Sequence, residues 1–71
     1  RCEGSALVKV DLEVRPDGTV RNVSVVSVET LRDPGCFTEA AQNAALTSTF
    51  RSDYSASERQ RARITYQFVA Q

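Results

Sequence analysis

Arg63-Ile64-Thr65-Tyr66-Gln67-Phe68-Val69 decides the fold, because its large apolar residues fall at every second position. Ile64, Tyr66 and Phe68 point to one side and Arg63, Thr65 and Gln67 to the other, the period of a β-strand with one buried face. Such a strand needs a sheet to join and a layer to cover its apolar side. The rest of the chain is read as supplying both, leaving the outer rim of this last strand open.

A partner strand is found at the other end of the chain. Ala6, Val8, Val10, Leu12 and Val14 alternate with Leu7, Lys9, Asp11 and Glu13, which predicts a half-buried strand over Ala6 to Val14. Arg15-Pro16-Asp17-Gly18 then reverses the chain, with proline fixing φ early in the turn and glycine free to take a left-handed conformation. A second strand rich in β-branched residues follows from Thr19 to Val28. Placing Arg15 opposite Thr19 pairs Val14 with Val20 and Glu13 with Arg21, but a regular ladder then turns Asn22 and Ser24 onto the core face. One extra residue near Arg21 and Asn22 restores Val20, Val23 and Val25 to the inside, so a β-bulge is predicted there.

Between this hairpin and the last strand lies one helical pattern. Glu29 to Gly35 is polar, ends Asp33-Pro34-Gly35, and reads as a loop. A helix is expected from near Phe37 or Thr38, with Thr38 as its cap, to about Thr49. Phe37, Ala40, Ala41, Ala44, Ala45 and Ser48 form its contact stripe, whose small side chains allow close approach to a sheet. Leu46 falls off that stripe, and Phe50 is expected to anchor the chain where the helix ends. Arg51 to Arg61 is polar and reads as a surface connection, with Ser57 to Arg61 its most charged part. The expected fold is therefore α+β, one domain over residues 1–71, with element order ββαβ. A right-handed crossover gives a three-stranded antiparallel sheet in the order 2-1-3, with one helix packed on one face.

Composition narrows the function classes. Nine basic and nine acidic residues cancel, and Lys9 is the only lysine. That balance argues against nucleic acid as a partner, which requires a basic surplus. The chain has no histidine, so neither a Ser/His or Cys/His nucleophile pair nor a histidine metal site can be built. Its three glycines are too scattered for a phosphate loop. Asp11 and Glu13 share a strand face, but solvent-facing positions account for them. No metal, cofactor or catalytic residue is expected.

At 71 residues with five aromatics the core is thin, and some further restraint is expected. Cys2 and Cys36 can supply it as one disulfide closing a loop of about 35 residues, a stabilisation of roughly 3 to 4 kcal/mol. The alternative is two unpaired thiols in a reducing compartment. The chain opens on Arg1 rather than methionine, so it is read as a piece of a longer protein whose anchor or export signal lies outside it.

The run Pro16-Asp17-Gly18-x-Val20-x-x-Val23-x-Val25-Val26, then Ala40-Ala41 and Ala44-Ala45 on a short helix closing with Phe50, then Ile64-Thr65-Tyr66-x-Phe68, resembles the C-terminal domain of TonB, the energy transducer. About 60 of the 71 residues take part. The resemblance implies a periplasmic module tethered to the inner membrane by a segment outside this chain and driven by the ExbB and ExbD proton motor. Its last strand would take up the TonB box of an outer-membrane transporter by strand addition, coupling the motor to uptake of iron-siderophore, vitamin or glycan. Here that role falls on Arg63, Ile64, Thr65, Tyr66, Gln67, Phe68 and Val69. The chain departs from the family in having Arg51-Ser52-Asp53-Tyr54 where a proline commonly follows the aromatic, and in its paired cysteines. The alternative reading is a TonB-like assembly domain that forms a homodimer through its edge strands and binds no transporter.

Overall fold

In the computed structural model, which describes residues 2–55 and 60–70, the chain forms β1 (Ala6–Val14), β2 (Val20–Thr30), α1 (Pro34–Leu46) and β3 (Gln60–Phe68). The sheet order is β2-β1-β3, with both outer strands antiparallel to the central one. This is the α+β arrangement expected from the sequence. Ala6, Val8, Val10 and Leu12 of β1 are buried with Phe37, Ala41 and Ala45 of α1. These seven side chains are the core among the described residues, and the valines of β2 and the apolar residues of β3 pack around them.

The β1–β2 hairpin closes as its turn residues require. Arg15 N–H donates to the Thr19 carbonyl and Gly18 N–H to the Arg15 carbonyl, each at 2.8 Å. Asp17 Oδ1 accepts from Thr19 N–H at 2.9 Å and from Thr19 Oγ1 at 2.7 Å, so the aspartate locks the turn locally. Gly18 has φ +91°, and a Cβ there would lie 2.1 Å from the Phe50 carbonyl oxygen. Glycine is needed twice over at this point, for its backbone angle and for the close passage of the chain after α1.

The predicted bulge is present. The register steps from Asp11↔Ser24 to Glu13↔Arg21, so that Asn22 and Val23 together face Leu12. Asn22 takes φ +53° and donates through Nδ2 to Glu13 Oε1 at 2.7 Å. A second bulge, which the sequence reading missed, lies between Val10↔Val25 and Lys9↔Ser27 and turns Val26 outward, 49% exposed. Two insertions are needed because Val20, Val23, Val25 and Val28 must all reach the core, and their spacings of three, two and three break the period of two twice.

Helix α1 begins and ends about three residues earlier than expected. Asp33, at φ 49°, is the N-cap residue, and Pro34 sits in the first helical turn. Thr38 therefore lies inside the helix and caps nothing. Proline suits this position because its missing N–H would be unpaired there in any case and its fixed φ is already helical. The helix stops at Leu46, where Thr47 and Ser48 return their hydroxyls to carbonyls of the last turn. The contact stripe holds, with Phe37, Ala41 and Ala45 buried and Ala40, Ala44 and Ser48 half-buried, while Leu46 is exposed. Phe50 anchors the chain through its backbone rather than its ring: its N–H donates to the Gly18 carbonyl at 2.8 Å while the residue is 36% exposed.

Cys2 and Cys36 are joined in a disulfide with Cα atoms 5.7 Å apart. It ties the segment before β1 to the first turn of α1. The surface connection expected over Arg51 to Arg61 is shorter than that, since Gln60 and Arg61 already belong to β3. Residues 57–59 of its charged part lie outside the described residues.

Candidate functional site

Strand β3 pairs with β1 over nine consecutive positions, from Ala6↔Phe68 to Val14↔Gln60, without a register shift. Among the described residues no strand pairs with its outer side. Which of its backbone groups face that side follows from the hairpin. Arg15 directs its N–H to β2, and the Ser5 carbonyl accepts from Thr30 Oγ1 of β2 at 2.8 Å. Backbone groups alternate sides along a strand, so the odd-numbered residues of β1 face β2 and the even-numbered ones face β3. The partners of those even residues, Gln60, Ala62, Ile64, Tyr66 and Phe68, are thereby bonded inward. Arg61, Arg63, Thr65 and Gln67 turn their N–H and C=O groups to the open rim. Ala70, even-numbered, keeps the inward phase, donating its N–H to Ser5 Oγ at 3.1 Å.

The seven residues singled out from the sequence thus divide into three sets. Arg63, Thr65 and Gln67 carry rim groups, and their side chains are exposed on the sheet face away from α1. Ile64, Tyr66 and Phe68 are bonded to β1 and half-buried on the α1 side. Val69 lies past the end of β3, 63% exposed, and is not part of the strand. Arg61 completes the rim but was assigned to the connection by the sequence reading. The signal was there, because the alternation of Arg63 and Ile64 runs back through Ala62, Arg61 and Gln60.

Electrostatics keep the rim clear. The Arg63 guanidinium leans inward across the sheet to its directly paired neighbour Asp11, with Nε 2.6 Å from Oδ1 and Nη2 3.0 Å from Oδ2. This two-point bond holds the Asp11 carboxyl below its ordinary value of 3.8 and raises Arg63. On the other face, α1 packs over β2 and β1, and Phe37 and Phe68 meet with ring centroids 5.3 Å apart. Tyr66 lies 6.4 Å from Phe68 by the same measure, and its buried hydroxyl finds no hydrogen-bond partner among the described residues. A strand added at β3 would continue this incompletely covered apolar surface.

The opposite edge is different in kind. Strand β2 is bulged at Asn22/Val23 and again at Val26, which breaks the even spacing that an added strand must match. The chain after α1 also runs along the hairpin turn that precedes it, Pro16 to Thr19. Thr49 bridges Thr19, Phe50 N–H donates to Gly18, and Asp53 N–H donates to the Pro16 carbonyl at 2.7 Å. One edge is therefore irregular, and the other is straight in register and, among the described residues, open.

Comparison with known protein families, with curated proteins and with solved structures returns no match to the chain.

Proposed function

We propose that this chain is a strand-accepting interaction module of the TonB-like kind, lodging an extended segment of an outer-membrane transporter, the TonB box, against β3. In this reading it works in the periplasm, tethered to the inner membrane and coupled to the ExbB and ExbD motor through parts of the protein outside these residues. The observation that carries the reading is the contrast between its two edges: nine unbroken positions on β3 against a twice-bulged β2. Edge strands left regular and uncovered invite pairing with another chain, and proteins that do not use them normally blunt them.

The four rim residues offer four donors and four acceptors. A segment of about six residues would form roughly five hydrogen bonds at a net 0.5 to 1.5 kcal/mol each, less the cost of ordering it. Micromolar affinity is the expected scale. The test is a titration with peptides from the N-termini of transporter plug domains, followed by backbone amide shifts. Shifts centred on Arg61 to Phe68 are expected, and Thr65→Pro, which deletes an outward N–H and leaves the core intact, should abolish them. Wild-type binding by a folded Thr65→Pro chain overturns the reading. Concentration-dependent dimerisation through β3 with no peptide response would replace it with the self-assembling alternative.

A further inference from the structure

The disulfide is unevenly presented to solvent. Cys2 is half-buried and packs against the core cluster, whereas Cys36 is exposed in the first turn of α1. A thiolate reaches a disulfide along the S–S axis through whichever sulfur is accessible. Near this bond the segment following Cys2 runs beside the end of β3. Cys2, Glu3, Gly4, Phe37, Phe68 and Ala70 are among the residues lining one open groove of about 890 Å³ there. Across it, Ser5 Oγ holds Ala70 N–H, and Glu3 faces Arg32 at 3.7 Å with both side chains largely exposed. The disulfide is the only covalent restraint on this end of the molecule among the described residues.

We propose that Cys2–Cys36 is a thiol–disulfide exchange site, attacked at Cys36 by a dithiol reductant, whose opening frees the N-terminal segment and loosens the Phe68 end of β3. In the first step a dithiol sulfur bonds to Cys36 Sγ, the Cys2–Cys36 bond breaks, and Cys2 leaves as a thiolate that takes a proton from water. In the second, the other thiolate of the reductant closes its own disulfide and Cys36 leaves. Two electrons and two protons pass to the protein, and the dithiol is oxidised. Departure of Cys36 is helped by its place at a helix N-terminus whose first turn contains no acidic residue, although Asp33 and Glu39 lie within one turn of it. The inference is independent of what β3 binds.

Three measurements on the oxidised 71-residue chain test it. Reduction by dithiothreitol in native buffer should stay first order in dithiol, with no plateau as concentration rises. A rate that saturates at the global opening rate from hydrogen exchange means the bond is reached only by unfolding, and overturns the proposal. Glutathione in excess followed by rapid alkylation should yield glutathione on Cys36 and the alkyl group on Cys2, and the reverse pattern overturns the assignment of the attacked sulfur. In the reduced chain, amide exchange at Phe68 and Ala70 should accelerate at least about tenfold more than at Val10, and equal acceleration removes the coupling to β3. Each of these outcomes can occur whether or not a peptide binds.

Discussion

Tyr66 shows how a single side chain can be both necessary and imperfect. Its ring belongs to the apolar layer of β3 beside Phe68, while its buried hydroxyl has no partner among the described residues. Tyr66→Ala should therefore cost about 3 kcal/mol through lost packing. Tyr66→Phe should leave stability unchanged or raise it by up to about 1 kcal/mol, since it removes a polar group that is desolvated and unpaired. Urea unfolding of the two variants checks the pair, and a clear loss in Tyr66→Phe would mean the hydroxyl is bonded in solution. Asp11 behaves differently because its interaction is ionic. Its folded-state pKa is held below 3.8 by Arg63, so what this contributes to stability is present above the unfolded value and is lost as pH falls through the folded one. Asp11→Asn should consequently show a smaller drop in melting temperature than wild type between pH 5 and about pH 2. Both groups are solvent-exposed, so the difference should also shrink in high salt.

Among elements, β2 is the one whose irregularity has a discernible cause. Its valines are spaced to reach the core only if two residues are set aside, and Asn22 takes the strained position with φ +53°. Asn22→Val should destabilise by about 1 to 2 kcal/mol, because a β-branched residue tolerates that backbone angle poorly; Asn22→Gly should cost less, losing mainly the bond to Glu13. Chemical denaturation ranks them, and equal losses would show that the backbone angle is not the source. The Asn22 bulge was legible in the sequence because Asn22 and Ser24 would otherwise have faced inward. The Val26 bulge was not read, although the adjacent Val25-Val26 followed by Ser27-Val28 breaks the alternation in the same way. The start of α1 was hidden by a conflict of signals: Asp33-Pro34-Gly35 is turn chemistry, yet it is equally a cap residue followed by a first-turn proline. In β3 the inward and outward faces were plain from Ile64, Tyr66 and Phe68. The rim's extension to Arg61 was obscured by its polar neighbours.

The molecule is a thin slab, 42 × 19 × 13 Å, and among the described residues one helix lies on one side of three strands while the other side is left to solvent. So small a core leaves much of the stability to restraints at its two ends. At one end Gly18 receives the chain after α1, and at the other the disulfide spans 34 positions of sequence. Replacing both Cys2 and Cys36 by serine should cost roughly 3 to 4 kcal/mol in urea unfolding, with the slope of the transition increased as the denatured chain expands. The need for a staple was evident from length and composition. Its ends were evident too, since Cys2 and Cys36 are the only cysteines; that Cys36 sits inside the first turn of α1 was not, because the helix starts about three residues earlier than its pattern suggests.

The unbroken register of β3 also has a mechanical meaning. A guest lying flush along Gln60 to Phe68 and tugged lengthwise would load its bonds to the host together, in shear, whereas a sideways tug would unzip them singly. The same grip can thus hold against traction in one direction and let go easily in another.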